Sequence, residues 1–181
     1  MSLSLTSQRS ENVQLIASFF ERTQGRWRSE RRYYTLPDGE VKEIVSSIAV
    51  RFLPKGAPEL LDLVQRHQLD PAMQMICGSW VSWDSQDSVS GKKQSRGETV
   101  FGVIGTTLYR DRGFATPKPV TAKFYFNNPD TLCLRTEYND SVFEEEIKLI
   151  GDRYRTRQTI ISRAGEQQMI GQYLETRLSD R

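Results

Sequence analysis

The chain has 181 residues and a mass of 20.9 kDa, with 25 Lys plus Arg against 23 Asp plus Glu and a single histidine. That length suits one domain, read here as residues 1–181, that buries a core without disulfide or metal staples. A net charge of +2 is too balanced for a protein whose affinity comes from neutralising phosphates, so any anion site is local and nucleic acid is not an expected partner; one histidine, His67, excludes a His-clustered metal centre and weakens any Ser-His-Asp reading.

The first residues, "MSLSLTSQRSEN", lack the long apolar run of a signal peptide, and no apolar stretch approaches the roughly 20 residues that a membrane span needs. Cys77 and Cys133 are isolated, with no C-x-x-C spacing, which fits reduced thiols in the cytoplasm. "SENVQLIASFFERT" then places Val13, Ile16, Phe19 and Phe20 at helical spacing, with Ser10 positioned to cap and Glu11 in the first turn.

After Gly25 the hydrophobic period changes to two. It stays there through "RWRSERRYYTL", "KEIVSSIAVRFL", "MQMICGSWVSWD", "GETVFGVIGTTLYRD", "VTAKFYFNN", "TLCLRTEYN", "SVFEEEIKLI", "RYRTRQTIIS" and "QQMIGQYLETRL", which predicts nine or ten strands. Short turn-forming stretches such as "LPDGE", "YNDS" and "RAGE" join them, suiting antiparallel hairpins and too short for parallel crossovers. One short helix, from about residue 57 to 67, interrupts the series where Leu60, Leu61, Val64 and His67 recur between prolines. The polar stretch "SQDSVSGKKQSRG" reads as the one long mobile loop.

So many antiparallel strands would leave two open edges unless the sheet closed, and a barrel of eight to ten strands encloses a cavity of small-ligand size. The expected fold is mainly β: a closed antiparallel up-and-down barrel of about ten strands, lipocalin-like or fatty-acid-binding-protein-like. An N-terminal helix and one short inserted helix complete it.

Polar residues on the apolar faces carry the functional signal. In "SVFEEEIKLI", Glu145 shares a face with Phe143, Ile147 and Leu149, so it points to the side that should be buried. A lone buried carboxylate is costly unless paired or hydrogen-bonded. Arg153, Arg155 and Arg157 alternate along the next strand on the face of Thr159 and Ile161, and Glu175 shares a face with Met169, Gly171 and Tyr173 in the last one. The first strand puts Trp27, Ser29, Arg31 and Tyr33 together, with Arg31 the odd member. An Arg/Glu-rich strand pair is most often a solvated face of cross-strand ion pairs, and Trp27 and Trp83 are more often core than ligand platform.

"FFERTQGRWRSERRYYTL", a helix end running into a G-[KR]-W-x-S-x-R strand, resembles the opening of the S-type phycobiliprotein lyases, the CpcS/CpeS family. "WVSWD", "LYRDRGF", "RTEYND", "FEEEI", "RYRTR" and "YLETR" are similar to that family's later landmarks, in the same order over nearly the whole chain. Arg157 departs from the pattern, standing where a small hydroxyl residue is common, and "EEEIKLI" lacks the aromatic of the usual E-E-R-I-W-F.

The resemblance implies a ten-stranded barrel that holds an open-chain tetrapyrrole as substrate, with no permanently bound cofactor, and transfers it to a cysteine of a phycobiliprotein subunit. The expected bilin is phycocyanobilin-like, the acceptor is of phycocyanin or allophycocyanin type, and a homodimer or heterodimer is expected in a cyanobacterial cytoplasm or chloroplast stroma. Residue by residue it nominates Trp83, Glu145, Arg153, Arg155 and Glu175, with Ser29 and Arg31 in support.

A bilin carries two propionates, several pyrrole N–H donors and a conjugated apolar body. Arg153 and Arg155 would then pair the propionates, Glu145 or Glu175 would accept N–H bonds and assist proton transfer, and Trp83 would pack on the conjugated system. Two inward arginines suit the single carboxylate of a fatty acid equally well, so a non-catalytic carrier is the alternative.

Overall fold

The computed structural model describes residues 2–179, and side chains from residue 7 onward. Its first element is α1 (Ser2–Thr23), followed by the strands β1 (Gly25–Thr35) and β2 (Glu40–Pro54) and the helix α2 (Pro58–Arg66). Eight more strands complete the chain: β3 (Cys77–Asp87), β4 (Lys93–Ile104), β5 (Thr107–Arg110), β6 (Val120–Asn128), β7 (Thr131–Tyr138), β8 (Ser141–Ile150), β9 (Tyr154–Arg163) and β10 (Glu166–Arg177). Each strand pairs antiparallel with its chain neighbours, and β1 pairs with β10, so the meander closes into a ten-stranded barrel. The turn lengths predicted the antiparallel pairing, and closure removes both sheet edges, as the cost of leaving them open predicted.

Four expectations are corrected. α1 begins at Ser2, so Ser10 lies inside it and does not cap it; no Gly or Pro interrupts residues 2–24 to stop the helix there. "GETVFGVIGTTLYRD" is two strands, because Gly105, at φ +62°, turns the chain back between Ile104 and Thr107. The long loop is a hairpin: β3 runs on to Asp87, and the Asp87 carboxylate accepts from the amides of Val89 and Ser90 and from the Ser90 hydroxyl. Arg153 lies in the turn before β9 rather than in the strand, since the ladder starts at the pair Ile150 and Tyr154.

α1 packs one end of the barrel. Ile16, Phe19 and Phe20 are buried against the barrel's interior side chains, Phe19 meeting Phe126 edge to face at 5.7 Å. The Trp27 indole N–H donates to the carbonyl of Thr23 at 2.9 Å, fixing the angle between helix and first strand. Arg177 lies over the Trp27 ring, 4.3 Å from its centre, and donates to the carbonyls of Arg22, Gln24 and Asp152. One side chain thus ties the helix end, the last strand and the turn after β8.

α2 instead lies outside the barrel, on β3 and β4, and buries Leu60, Leu63 and Val64 against Leu53 and Met75. Gly78 and Gly102 permit that approach: a Cβ at either would come within 2.5 Å of a side chain on this layer. No helix among the described residues is long and apolar enough to cross a membrane.

Candidate functional site

Inside the barrel is a cavity of about 500 Å³, floored by Phe19, Phe20 and Thr23 of α1 and roofed by residues 112–117. The roof is held by a stack of three rings: Phe114 on Phe143 at 4.7 Å and Tyr138 on Phe143 at 4.9 Å. Tyr138 also accepts the Ala115 amide at 2.9 Å. The walls are mostly apolar, from Ile48, Val50, Val81, Leu108, Leu132, Leu134 and Ile147, as a ligand site requires.

Two glycines let aromatic rings pack close against this wall. A Cβ on Gly97, which pairs across the ladder with Trp83, would stand 2.7 Å from the indole; one on Gly171 would stand 2.8 Å from the Tyr173 hydroxyl. The rings of Trp83 and Tyr173 fill those two gaps and leave the lumen open, which places Trp83 on the cavity wall as expected.

The polar residues follow from strand register. Ser29, Glu175 and Arg155 are direct neighbours across β1, β10 and β9, and two residues along the same strands Arg31, Tyr173 and Arg157 form the next row. Glu145 opposes Thr159, so its carboxylate meets Arg157 diagonally. The result is two clusters.

In the first, Glu175 is fully buried and paired with the Nε of Arg155, which is itself 7% exposed. Ser29, also fully buried, donates to Glu175 at 3.1 Å and accepts from the Nε of Arg31 at 3.1 Å. Burial by itself pushes the Glu175 carboxyl up. The charge and hydrogen bond of Arg155, with Arg157 and Arg31 beyond, outweigh it and hold the group below the usual carboxylate range. In the second cluster, Glu145, 4% exposed, takes both Nε, at 3.1 Å, and a terminal nitrogen of Arg157 on its Oε1. Burial would lower the Arg157 guanidinium, but the Glu145 charge and hydrogen bond raise it.

Of the residues nominated from sequence, Trp83, Arg31 and Arg155 line the cavity, while Ser29, Glu145 and Glu175 stand behind its wall, each in contact with an arginine. Arg153 does not join them: it is exposed in the turn, 5.7 Å over the ring of Tyr154. Arg110 was missed. It is 7% exposed, lines the cavity, and its guanidinium sits 4.8 Å over Phe101 and 4.5 Å over Phe114. His67 at the end of α2 bonds the Arg110 carbonyl at 2.8 Å, fixing the backbone there.

The cysteines stand apart. Burial pushes the Cys77 thiol up to about 12 and raises that of Cys133, and neither lines the cavity. At pH 8 a thiol of pKa about 12 is thiolate at on the order of one part in ten thousand. Titration of the native protein with Ellman's reagent is therefore expected to show almost no fast-reacting thiol, and two after denaturation. A fast native phase would contradict the burial.

The chain matches the family model described as CpeS-like protein over residues 15–178. It is 61% identical, over 90% of its length and 91% of the relative's, to a Nostoc sp. protein provisionally named phycocyanobilin lyase CpcS 2. A Picosynechococcus sp. protein provisionally named chromophore lyase CpcV is 49% identical over 89% of this chain and 80% of its own. In structure it is similar to the S-type phycobiliprotein lyase CPES from Guillardia theta, with a TM-score of 0.75, 22% identity and coverage of 92% and 94% of the two chains. With the family model matched over residues 15–178 and a relative 61% identical over 90% of the chain, the chain belongs to the CpeS-like family.

Proposed function

We propose that this protein is a chromophore lyase that holds an open-chain tetrapyrrole, of phycocyanobilin type, in its barrel and directs its attachment to a cysteine of a phycobiliprotein subunit. The observation that carries the proposal is the union of chemistries in one cavity: aromatic and aliphatic walls beside four inward arginines and two buried glutamates. A bilin's conjugated body suits the walls and its two propionates suit arginines, whose planar donor forks stay charged when desolvated.

The attachment adds the acceptor's S–H across the ring A ethylidene: a C–S bond and a C–H bond form, and nothing is lost, oxidised or reduced. The lyase therefore supplies no nucleophile. Its work is to fix the bilin's ring orientation and exclude wrong adducts. Trp83, laid over Gly97, would hold a ring against the wall. Glu145 and Glu175 act through Arg157 and Arg155, keeping two guanidinium groups in place at the cavity surface. We take the acceptor to be of phycocyanin or allophycocyanin type and the setting to be a cyanobacterial cytoplasm; the phycocyanobilin in one relative's name supports the bilin, and the cyanobacterial sources of both support the organism class.

The test mixes purified protein, phycocyanobilin and an apo-phycobiliprotein subunit. A covalent, red-absorbing adduct is expected to accumulate well above the spontaneous background. An adduct yield no higher with the protein than without it would remove the lyase assignment.

A further inference from the structure

The two clusters are each short of one negative charge. Apart from Arg112 at the mouth, exposed and 3.9 Å from Asp111, the cavity-lining cations are Arg31, Arg155, Arg110 and Arg157. Glu175 pairs with Arg155 and Glu145 with Arg157. Arg31 and Arg110 remain, one at each cluster.

They remain in different ways. Arg31 is half-buried, donates to the neutral Ser29 hydroxyl and lies 5.1 Å over Tyr173. Arg110 is more than nine-tenths buried, makes no ion pair among the described residues, and its Nε has no hydrogen-bond partner. Burial lowers its pKa, and the charge of Glu145 only partly opposes that. The Glu145 Oε2 also lacks a hydrogen-bond partner, so this corner of the barrel holds an unpaired donor and an unpaired acceptor together. A buried guanidinium is costly to keep without an anion. Here the sequence keeps one, sets it against two aromatic rings and anchors its backbone through His67.

We infer that Arg110 is a ligand-binding residue that receives a carboxylate of the bound molecule, with Arg31 available for a second. A surplus of one positive charge at each cluster matches a carboxylate at each, and the rings of Phe101 and Phe114 exclude water from the Arg110 pair, strengthening it. A fatty acid, with one carboxylate, would leave one of the two cations without an anion. The inference rests on the tetrapyrrole reading and adds to it which cations meet the propionates.

Absorbance titrations with phycocyanobilin and with its dimethyl ester test it, in the wild type and in Arg110→Gln. The wild type is expected to bind the free acid at least 10-fold tighter than the ester. Arg110→Gln should weaken the free acid about 10-fold or more while changing the ester less than twofold, the signature of a lost charge-assisted hydrogen bond. Equal weakening of both pigments would make Arg110 a packing residue and overturn the inference. So would equal wild-type affinity for acid and ester, a comparison that does not depend on the variant folding. Binding of neither pigment by the wild type would sink the tetrapyrrole reading, and the inference with it.

Discussion

Replacing Glu175 by alanine is expected to destabilise the protein by about 3–5 kcal/mol, the range for stranding one member of a buried ion pair. For a chain of this size that lowers the melting temperature by roughly 6–20 °C. Arg155 would be left without an anion 4.7 Å over the Trp27 ring, and Ser29 would lose its acceptor. Replacing both members, Glu175 by leucine and Arg155 by methionine, should cost much less than the single change, because two desolvated charges are removed with their mutual attraction. A double variant as unstable as the alanine single variant would show that the pair itself is not the source of the loss.

The same site sets an acid limit. The folded-state pKa of Glu175 lies below its ordinary 4.5, so its contribution to stability is fully present above the unfolded value and disappears as pH falls through the folded one. Melting temperatures of the wild type and of Glu175→Gln should therefore converge as pH falls below about 4.5, and a gap that stayed constant through that range would contradict the shift.

Alternation made much of this site legible. Trp27, Ser29 and Arg31 read inward on β1, and Glu145 reads inward on β8, because a half-buried strand cannot slip by one residue without exposing its whole apolar face. The closed topology was legible too, because short turns between alternating strands leave little but an antiparallel meander.

Parity across turns was not legible. Read as one strand, "GETVFGVIGTTLYRD" puts Arg110 on the face of Gly102 and Ile104, which lies toward α2. The turn at Gly105 reverses the chain and pairs Val103 with Leu108 and Phe101 with Arg110, so even-numbered residues of β5 face the cavity that odd-numbered residues of β4 face. Arg153 failed for the same kind of reason: "IGDR" gives no sign of which residue resumes the ladder, and the turn takes Arg153. Pairing partners were equally hidden, since Glu145 finds Arg157 through a diagonal that only the register defines.

Arg157 is where this chain departs from the pattern it otherwise resembles, and replacing it by serine is expected to have the largest effect on ligand choice. In the apo protein the change leaves the Glu145 carboxylate buried without its ion-pair partner. Arg110 still acts on that carboxylate through its charge, so the cost falls at the lower end of the range, about 3 kcal/mol, or roughly 6–12 °C of melting temperature. Removing the guanidinium also opens the wall in front of Glu145, because Arg157 lines the cavity and Glu145 does not. Pyrrole N–H groups could then donate to Glu145 directly, a charge-assisted bond worth about 1.5–3 kcal/mol. Saturating phycocyanobilin dimethyl ester, which keeps the N–H groups but carries no propionate charge for Arg110 to hold, should therefore raise the melting temperature of Arg157→Ser by several degrees more than it raises that of the wild type. A saturating fatty acid such as oleate has no N–H to offer, and without Arg157 the charge of Arg110 is balanced by Glu145, so oleate should raise the melting temperature of the variant no more than that of the wild type. Equal thermal shifts with the dimethyl ester in the two proteins would mean that Glu145 does not meet the tetrapyrrole even with its arginine gone; a larger shift with oleate in the variant would favour the carrier reading over the lyase.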